Sequence, residues 1–342
     1  MSRLMSAATM KELKIVFMGT AELSCASLEA LARDQQFPVA AVVTQPDRPK
    51  GRELKLQPSP VKALAQKLSL PVLQPAKARD EKFIAELRGL APELIVVVAY
   101  GQILPQSILD LPRHGCLNVH TSLLPKYRGA APIQWAIANG DAETGATLMK
   151  MDAGLDTGPI VAQRRTPIQP ADDSATLHDR LARLGAELLR ATIPDYVAGK
   201  IQPRPQPVDG VSHAPKIKKE DGRIDWNLPA QTIVNRLRAF TPWPGAYTFS
   251  LGVPPSDGKA QLPEGGTPNV AHSTLLKIWK VEPVEKSGAP GTILSADKNG
   301  IVAACGQGAL RILELQREGG RRMNTAEFLA GHPLTPGAKF KR

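Results

Sequence analysis

The 342-residue chain is longer than a single hydrophobic core usually organises, so two domains are expected. Its 42% hydrophobic and 22% charged residues exclude a disordered chain, and no apolar run approaches the roughly 20 residues of a bilayer span, so no membrane partner is expected. The formal net charge of +11 favours a polyanionic partner, nucleic acid before an anionic membrane.

The positive charge is concentrated in the last third of the chain. Residues 210–342 hold 18 lysines and arginines against 11 acidic residues, whereas residues 1–209 hold 25 against 21. A basic domain that follows a less basic one is typical of proteins that contact nucleic acid.

The N-terminus and the cysteines carry no processing or redox signal. Residues 1–12 are expected to form a loose extension, in which Met10 serves as well as Met1 as a start. The charged start, apolar stretch and cleavage site of a secretory signal are missing, so a cytoplasmic location is expected and organellar targeting is disfavoured. The three cysteines lie far apart and form no CxxC motif, which favours buried thiols over disulfides or a zinc site.

The first part of the chain alternates apolar strands and helices. Strands are predicted at 13–18, 39–43, 70–73, 94–98 and 117–120, and helices following Gly19-Thr20 to about Ala32, at 61–68 and at 81–90. Continuous apolar strands separated by helices predict an α/β fold with a mostly parallel sheet covered by helices on both faces.

The pattern changes in the second part. A strand at 160–168 and a helix at 174–196 precede the proline-rich segment 199–215, which is predicted to be a linker. A helix at 226–239 then leads into short strands at 246–251, 274–281, 291–294, 300–304 and 309–316, a spacing that predicts a small β-barrel. The segment 252–270 is predicted to be a flexible excursion between two of these strands. The expected domains are therefore 13–198 and 216–342.

Asn118 and His120 stand two residues apart at the end of a predicted core strand. At this spacing both side chains point to one face of the strand, at the edge where open parallel sheets bind their ligands. An imidazole there can exchange a proton, and a primary amide can donate to a developing oxyanion. The alternative is a core histidine and asparagine that are satisfied by backbone groups.

A second polar candidate is Asp156, which lies between Gly154 and Gly158. The two glycines allow a sharp bend and a close approach of the backbone to a ligand. A carboxylate beside His120 would favour the charged imidazole and could hold a catalytic water. An ordinary Asx turn remains the alternative, and spacing does not separate the two.

Long motifs in this region resemble the folate-dependent formyltransferases. LNVHTSLLPKYRGAAPIQWAI from Leu117 and GATLMKMDAGLDTGP from Gly145 carry the superfamily pattern. TQPDRPKGR, VVVAYGQILP, KIKKEDGRIDW and RAFTPWPGAYT resemble the branch that formylates methionine on initiator tRNA. The resemblance runs from about Leu13 to the end of the chain.

The resemblance implies a Rossmann-like catalytic domain followed by an OB-like β-barrel that binds tRNA. It implies transfer of a formyl group from 10-formyltetrahydrofolate to the α-amino group of methionyl-initiator tRNA, without a metal or a covalent enzyme intermediate, by a protein expected to be monomeric. Asn118, His120 and Asp156 would form the catalytic trio. The implied folate-site residues are Ile103, Leu104, Ser122, Leu123, Leu124, Pro125, Gly154 and Leu155, although the leucines could equally be plain core, and the bond before Pro125 could be cis.

Basic residues in two places match the tRNA contacts of that family. The segment 46–56 is basic and punctuated by proline and glycine, and the resemblance implies that it enters the acceptor end of tRNA, with Arg52 most important. The expected tRNA contacts are Arg48, Lys50, Arg52, Lys55, Lys216, Lys218 and Lys219. A solvated surface loop is the alternative for the first four.

Two departures from the family pattern stand out. Ala21 replaces a proline after Gly19-Thr20, which loosens the expected helix start, and the segment 252–270 is longer than usual.

A dinucleotide-dependent oxidoreductase is disfavoured because Gly19 stands without the rest of a G-x-G-x-x-G motif. A formyltransferase for a small amine, a sugar nucleotide or folate itself remains open, as does an inactive RNA-binding protein, which would not need all three trio residues.

Overall fold

The computed structural model describes residues 13–50, 55–251 and 273–341, which form two compact units. The first unit comprises 13–132, 143–167 and 178–214, and the second comprises 133–142, 168–177 and 215–341. The predicted extension 1–12, residues 51–54 of the basic segment and the predicted excursion 252–270 lie outside the described residues.

The first unit is built on a mixed sheet. The strands of the first unit are β1 Ile15–Gly19, β2 Val39–Val43, β3 Arg48–Lys50, β4 Lys55–Gln57, β5 Val72–Leu73, β6 Leu94–Val98, β7 Cys116–His120, β8 Arg128–Gly129, β9 Glu143–Lys150, β10 Ile160–Pro167 and β11 His213–Ala214. Among the described residues, seven of them form one sheet in the order β10-β9-β7-β6-β1-β2-β5. The five strands from β7 to β5 are parallel, and β9 and β10 are antiparallel to their neighbours. The predicted mostly parallel α/β fold is confirmed.

Helices cover both faces of this sheet. The helices that begin within residues 13–197 are α1 Leu23–Ala32, α2 Pro60–Lys67, α3 Glu81–Gly89, α4 Gln106–Leu109, α5 Pro132–Ala138 and α6 Ser174–Val197. Alternate residues of β1 lie in different apolar clusters: Phe17 packs with residues of α1, α2 and α6, and Met18 packs with residues of α3 and α4. Because both faces are covered, every residue of β1 and β6 is buried, which explains their uninterrupted apolar sequences.

The second unit contains a curled antiparallel sheet. Its elements are a 3₁₀ turn Lys219–Gly222, helices α7 Ala230–Phe240 and α8 Thr325–Gly331, and strands β12 Ala246–Leu251, β13 Ser273–Val284, β14 Ile293–Asp297, β15 Gly300–Ala304, β16 Ala309–Arg317, β17 Arg322–Asn324 and β18 Phe340–Lys341. The sheet order is β14-β15-β16-β13-β12-β18, with β17 on β16. Its core includes Trp226 stacked on Phe340 at 5.3 Å between ring centroids. The expected OB-like class is confirmed.

Three local predictions need correction. The helix predicted at 226–239 begins only at Ala230, because Asp225 accepts from the backbone N–H of Asn227 in a turn and Pro229 stands at the N-cap. Strand β9 was not predicted, since its sequence lacks a strong alternating pattern. The basic segment predicted as a loop carries an antiparallel pair, β3 and β4.

Candidate active site

The end of β7 forms the floor of the candidate site. This strand lies between β6, which is parallel, and β9, which is antiparallel, so Asn118 pairs with Val97 and Met149 and His120 pairs with Thr147. The carboxyl ends of parallel strands meet at one edge of a sheet, where such folds bind ligands. The antiparallel partner β9 completes the hydrogen bonding of β7 on its other side.

The side chains of Asn118, His120 and Asp156 meet at this edge. Asn118 Nδ2 donates to Asp156 Oδ1 at 3.4 Å, and His120 Nδ1 lies 3.7 Å from Asp156 Oδ2. The side chains of His120 and Asp156 are 7% and 13% exposed, so water screens their interaction poorly. This convergence is the geometric condition that the catalytic hypothesis requires.

The orientation of the His120 ring follows from its second nitrogen. Nε2 lies 2.9 Å from the carbonyl oxygen of Tyr127, which can only accept, so Nε2 carries a hydrogen. Nδ1 therefore faces the Asp156 carboxylate. The 3.7 Å separation between Nδ1 and Asp156 Oδ2 exceeds hydrogen-bond distance, which leaves room for Nδ1 to contact a third group.

The loop that carries Asp156 is held in an unusual backbone conformation. Asp156 has φ of +52°, a left-handed value that is uncommon for residues other than glycine, and its Oδ2 accepts from the backbone N–H of Gly129 at 2.8 Å. Gly154 and Gly158 lie too close to neighbouring atoms for a larger residue. A Cβ would stand 2.0 Å from Thr157 Oγ1 at Gly154 and 1.9 Å from the Lys150 carbonyl oxygen at Gly158. The bend predicted from the two glycines is thus centred on the aspartate itself.

The predicted folate residues after β7 form a turn that is fixed by two side chains absent from the predictions. Thr147 Oγ1 accepts from the Leu124 N–H at 3.1 Å and donates to the Ser122 carbonyl at 2.6 Å, and Gln163 Nε2 donates to the Leu124 carbonyl at 2.9 Å. Leu124 is buried with Met149 and Ile160, Leu123 is half-buried, and the bond before Pro125 is cis. Gln163 Nε2 also donates to Thr147 Oγ1 at 2.9 Å. Nothing in a single sequence marks Thr147 or Gln163, because they contact backbone atoms and each other across strands that are distant in sequence.

The other predicted folate residues divide between core and surface. Leu104 is buried in the apolar cluster with α3 and α4, whereas Ile103 is 86% exposed in the loop that follows β6. Leu155, next to Asp156, is 65% exposed. Strand β6 ends at Val98, so Ile103 lies in the loop that follows this strand. Exposed apolar side chains at the ligand edge of a sheet are suited to a flat aromatic ligand.

Two side chains with nucleophilic atoms in and after β7, Cys116 and Ser122, are not activated. Cys116 is buried, and desolvation raises the pKa of its thiol to about 12. Ser122 Oγ donates to the Lys126 carbonyl at 2.6 Å, and a carbonyl cannot remove its proton. Within the described part of the chain, no cluster of three or more His, Cys, Asp or Glu side chains could hold a metal ion.

The basic segment after β2 is anchored at its base. Asp47 accepts from Lys62 Nζ at 2.7 Å and from Gln74 Nε2 at 2.8 Å, and these hydrogen bonds lower the pKa of its carboxyl. The exposed Arg48 begins β3, while Lys50 and Lys55 pair across β3 and β4. Arg52 lies outside the described residues.

The three predicted lysine contacts lie in the second unit. Lys216, Lys218 and Lys219 are all exposed, and Lys219 begins the 3₁₀ turn.

In the described residues, no helix has the length and apolar character needed to cross a bilayer.

The segment predicted as a linker contacts the candidate site in the first unit. Arg204 exchanges two backbone hydrogen bonds with Ile160, and β11 pairs in parallel with β8. Between these two anchors, Gln206 reaches the backbone on both sides of Thr157. Sequence reasoning missed Gln206, because a proline-rich stretch without periodicity gives no sign of which side chain turns inward.

The sequence profiles of known families agree with this architecture. The family described as formyl transferase matches residues 13–193, and the formyl transferase C-terminal domain matches residues 216–333. The methionyl-tRNA formyltransferase of Geobacter sulfurreducens is 50% identical over 331 residues, which cover 97% of this chain and 98% of that protein. The methionyl-tRNA formyltransferase of Myxococcus xanthus is 51% identical over 95% of this chain and 97% of its own length. The chain belongs to the methionyl-tRNA formyltransferase family.

Solved structures share the fold at lower sequence identity. An N-formyltransferase from Helicobacter canadensis, in complex with folinic acid and dTDP-3-aminofucose, aligns with a TM-score of 0.59 and 18% identity over 91% of this chain and all of that one. At 18% identity, this similarity shows a shared fold and nothing more.

Proposed function

We propose that this protein transfers the formyl group of 10-formyltetrahydrofolate to the α-amino group of methionine esterified to initiator tRNA. The observation that carries the proposal is the near-full-length identity of about one half to methionyl-tRNA formyltransferases. The meeting of Asn118, His120 and Asp156 at the ligand edge of the sheet supports the chemistry. Because the acceptor is a charged tRNA, we place the reaction in the cytoplasm.

The proposed reaction is a direct attack of the amine on the formyl carbon. The amine nitrogen forms a bond to that carbon, the carbonyl oxygen becomes an oxyanion, and the bond to N10 of the folate then breaks while the proton lost by the amine goes to N10. The Nδ2 hydrogens of Asn118 and the Nδ1–H of His120 stabilise the oxyanion, since both groups border the same space as the Asp156 carboxylate. No enzyme nucleophile is needed, which agrees with the raised pKa of the Cys116 thiol.

Asp156 has two roles in this proposal. Its negative charge lies 3.7 Å from His120 Nδ1 and attracts the proton that this nitrogen donates on the oxyanion side of the site. It also provides an acceptor through which a water molecule can carry the amine proton towards N10. The Gly129 N–H bond to Oδ2 holds the carboxylate in this position.

The folate would lie along the edge formed by the loops after β6 and β7. The exposed side chains of Ile103 and Leu155 provide apolar surface for the pterin, and the turn at 122–125 offers backbone groups for its polar edge. Gly154 allows the Thr157 side chain to pack against the backbone of the Asp156 loop, because a Cβ there would stand 2.0 Å from Thr157 Oγ1.

The tRNA contacts are proposed from charge and position. Arg48, Lys50 and Lys55 belong to the antiparallel pair β3 and β4, and Lys216, Lys218 and Lys219 are exposed in the second unit. Arg52 is proposed from its position in the basic sequence 46–56. Contacts of these residues with phosphates would fix position and make affinity dependent on salt, without reading base identity.

An assay with labelled formyl donor tests the function. Methionyl-initiator tRNA, methionyl-elongator tRNA, free methionine and an amino-sugar nucleotide are offered side by side at equal concentration. The proposal predicts label on the initiator tRNA at a kcat/KM far above the other acceptors. Preferred formylation of the sugar nucleotide or of free methionine would reject it.

A further inference from the structure

Gln206 uses its whole carboxamide to join two segments of the candidate site. Its Nε2 donates to the carbonyl oxygens of Asp156 at 2.7 Å and Gly158 at 2.8 Å. Its Oε1 accepts from Arg128 at 3.1 Å (Nε) and 2.7 Å (Nη2). Both hydrogens of the amide and its single oxygen are therefore engaged at normal hydrogen-bond distance.

The two joined segments are the ones that orient the Asp156 carboxylate. One is the loop itself, where the carbonyls before and after Thr157 are held while Asp156 keeps its left-handed φ of +52°. The other is β8, in which Arg128 precedes Gly129, the residue whose N–H donates to Asp156 Oδ2. A left-handed backbone at a residue other than glycine persists only where the surroundings hold it.

We propose that Gln206 is a positioning residue that fixes the distance and direction of the Asp156 carboxylate relative to His120. The proposal rests on the proposed function for its kinetic consequences, but its geometric content is independent of the reaction. Without the two Nε2 hydrogen bonds, the loop relaxes towards a right-handed backbone and turns the carboxylate away from the imidazole. A displacement of about 1 Å at a reacting group costs about 100-fold in rate.

Each substitution of Gln206 removes a different subset of its hydrogen bonds. Gln206→Glu keeps the size and the contact with Arg128 but replaces the two donors with an acceptor that faces two carbonyl oxygens. Gln206→Asn is shorter by one methylene and cannot span both segments. Gln206→Ala removes every contact. Gln202 offers a matched control, since it lies in the same segment and donates only locally, to the Gly199 carbonyl at 3.2 Å.

Two measurements on the full-length protein test the proposal. In steady-state kinetics with methionyl-initiator tRNA, Gln206→Ala and Gln206→Glu are expected to lower kcat by about 100-fold while both KM values stay within about twofold of wild type. In NMR of protein labelled with ¹⁵N-histidine, the chemical shifts of the His120 ring nitrogens, assigned with a His120→Gln variant, are expected to differ from wild type in both variants, because the carboxylate beside the ring has moved. Gln202→Ala is expected to match wild type in both measurements.

The outcomes separate the two hypotheses. If wild type does not formylate the tRNA, the proposed function fails, and the chemical shifts of the His120 ring nitrogens alone decide the role of Gln206. If Gln206→Ala does not fold, Gln206→Glu carries the test because it retains the size and the Arg128 contact. A kcat within threefold of wild type with unchanged His120 chemical shifts overturns the proposal. A lower kcat together with higher values of both KM and unchanged His120 chemical shifts also overturns it, since that pattern indicates only a general structural role.

Discussion

Replacing Asp156 with asparagine exchanges one carboxylate oxygen for an amide nitrogen and leaves the shape of the side chain nearly unchanged. In the native site, Oδ2 accepts from the Gly129 N–H at 2.8 Å and Oδ1 accepts from Asn118 Nδ2 at 3.4 Å. An asparagine has one oxygen for these two donors. Whichever way the amide turns, its NH₂ group faces another donor, either the Gly129 N–H or the Asn118 amide.

The expected loss follows from these contacts. A hydrogen bond to a charged group contributes about 1.5–3 kcal/mol, which corresponds to about 10- to 150-fold in rate if it acts only in the transition state. Loss of the group that assists proton transfer costs about 100- to 10,000-fold more. We therefore expect Asp156→Asn to lower kcat by at least about 1,000-fold. Its melting temperature should fall by only a few degrees, since about one hydrogen bond is lost.

Asp152→Asn is the matched control for this experiment. Asp152 lies in the same loop, is exposed, and uses Oδ1 to accept from the Gly154 N–H and from Thr157 Oγ1. An asparagine oxygen can accept both bonds, so turnover should stay close to wild type. Single-turnover formylation of methionyl-initiator tRNA, with thermal melts of all three proteins, measures both effects. A single-turnover rate constant of Asp156→Asn within tenfold of wild type, in a folded protein, would contradict a catalytic role for this carboxylate.

Four further predictions concern the trio, the basic segment and the thiol. His120→Ala should abolish most turnover while the Kd for tRNA, from filter binding, stays within about twofold; near-normal turnover would contradict the assignment. Arg52→Ala should raise the KM for charged tRNA more than that for folate, with Arg33→Ala as a charge-matched control, and equal effects on both ligands would count against a tRNA contact. The lowered pKa of Asp47 means that its stabilising effect is full above the unfolded-state pKa of about 3.9 and is lost as pH falls through the folded value. The stability difference between wild type and Asp47→Asn, from thermal melts across pH, should therefore be constant near neutrality and vanish in acid, and a pH-independent difference would be inconsistent with the ion pair. Cys116→Ser should keep kcat within about threefold of wild type, because a thiol with a pKa of about 12 is not the nucleophile at neutral pH; a covalent formyl-enzyme trapped on wild type but not on this variant would overturn that view.

The predicted elements agree best with the structure where local sequence and tertiary environment favour the same conformation. β6, at 94–98, was predicted within its observed bounds, because a strand buried on both faces needs an unbroken apolar run. β9 was missed, since its conformation depends on pairing with β7 and β10 more than on its own residues. α7 starts later than predicted because a turn at Asp225 and the proline at 229 compete with the helix.

The fold class and the family of this protein can be read from its sequence alone. So can the importance of Asn118, His120 and Asp156, because chemical type and i, i+2 spacing need no coordinates. The orientation of these groups depends on tertiary contacts: the left-handed backbone of Asp156, the Tyr127 carbonyl that fixes the His120 ring, and the Gln206 hydrogen bonds to the Asp156 and Gly158 carbonyls. These features depend on backbone carbonyl and N–H groups, which every residue has, so the identity of the amino acids does not reveal them.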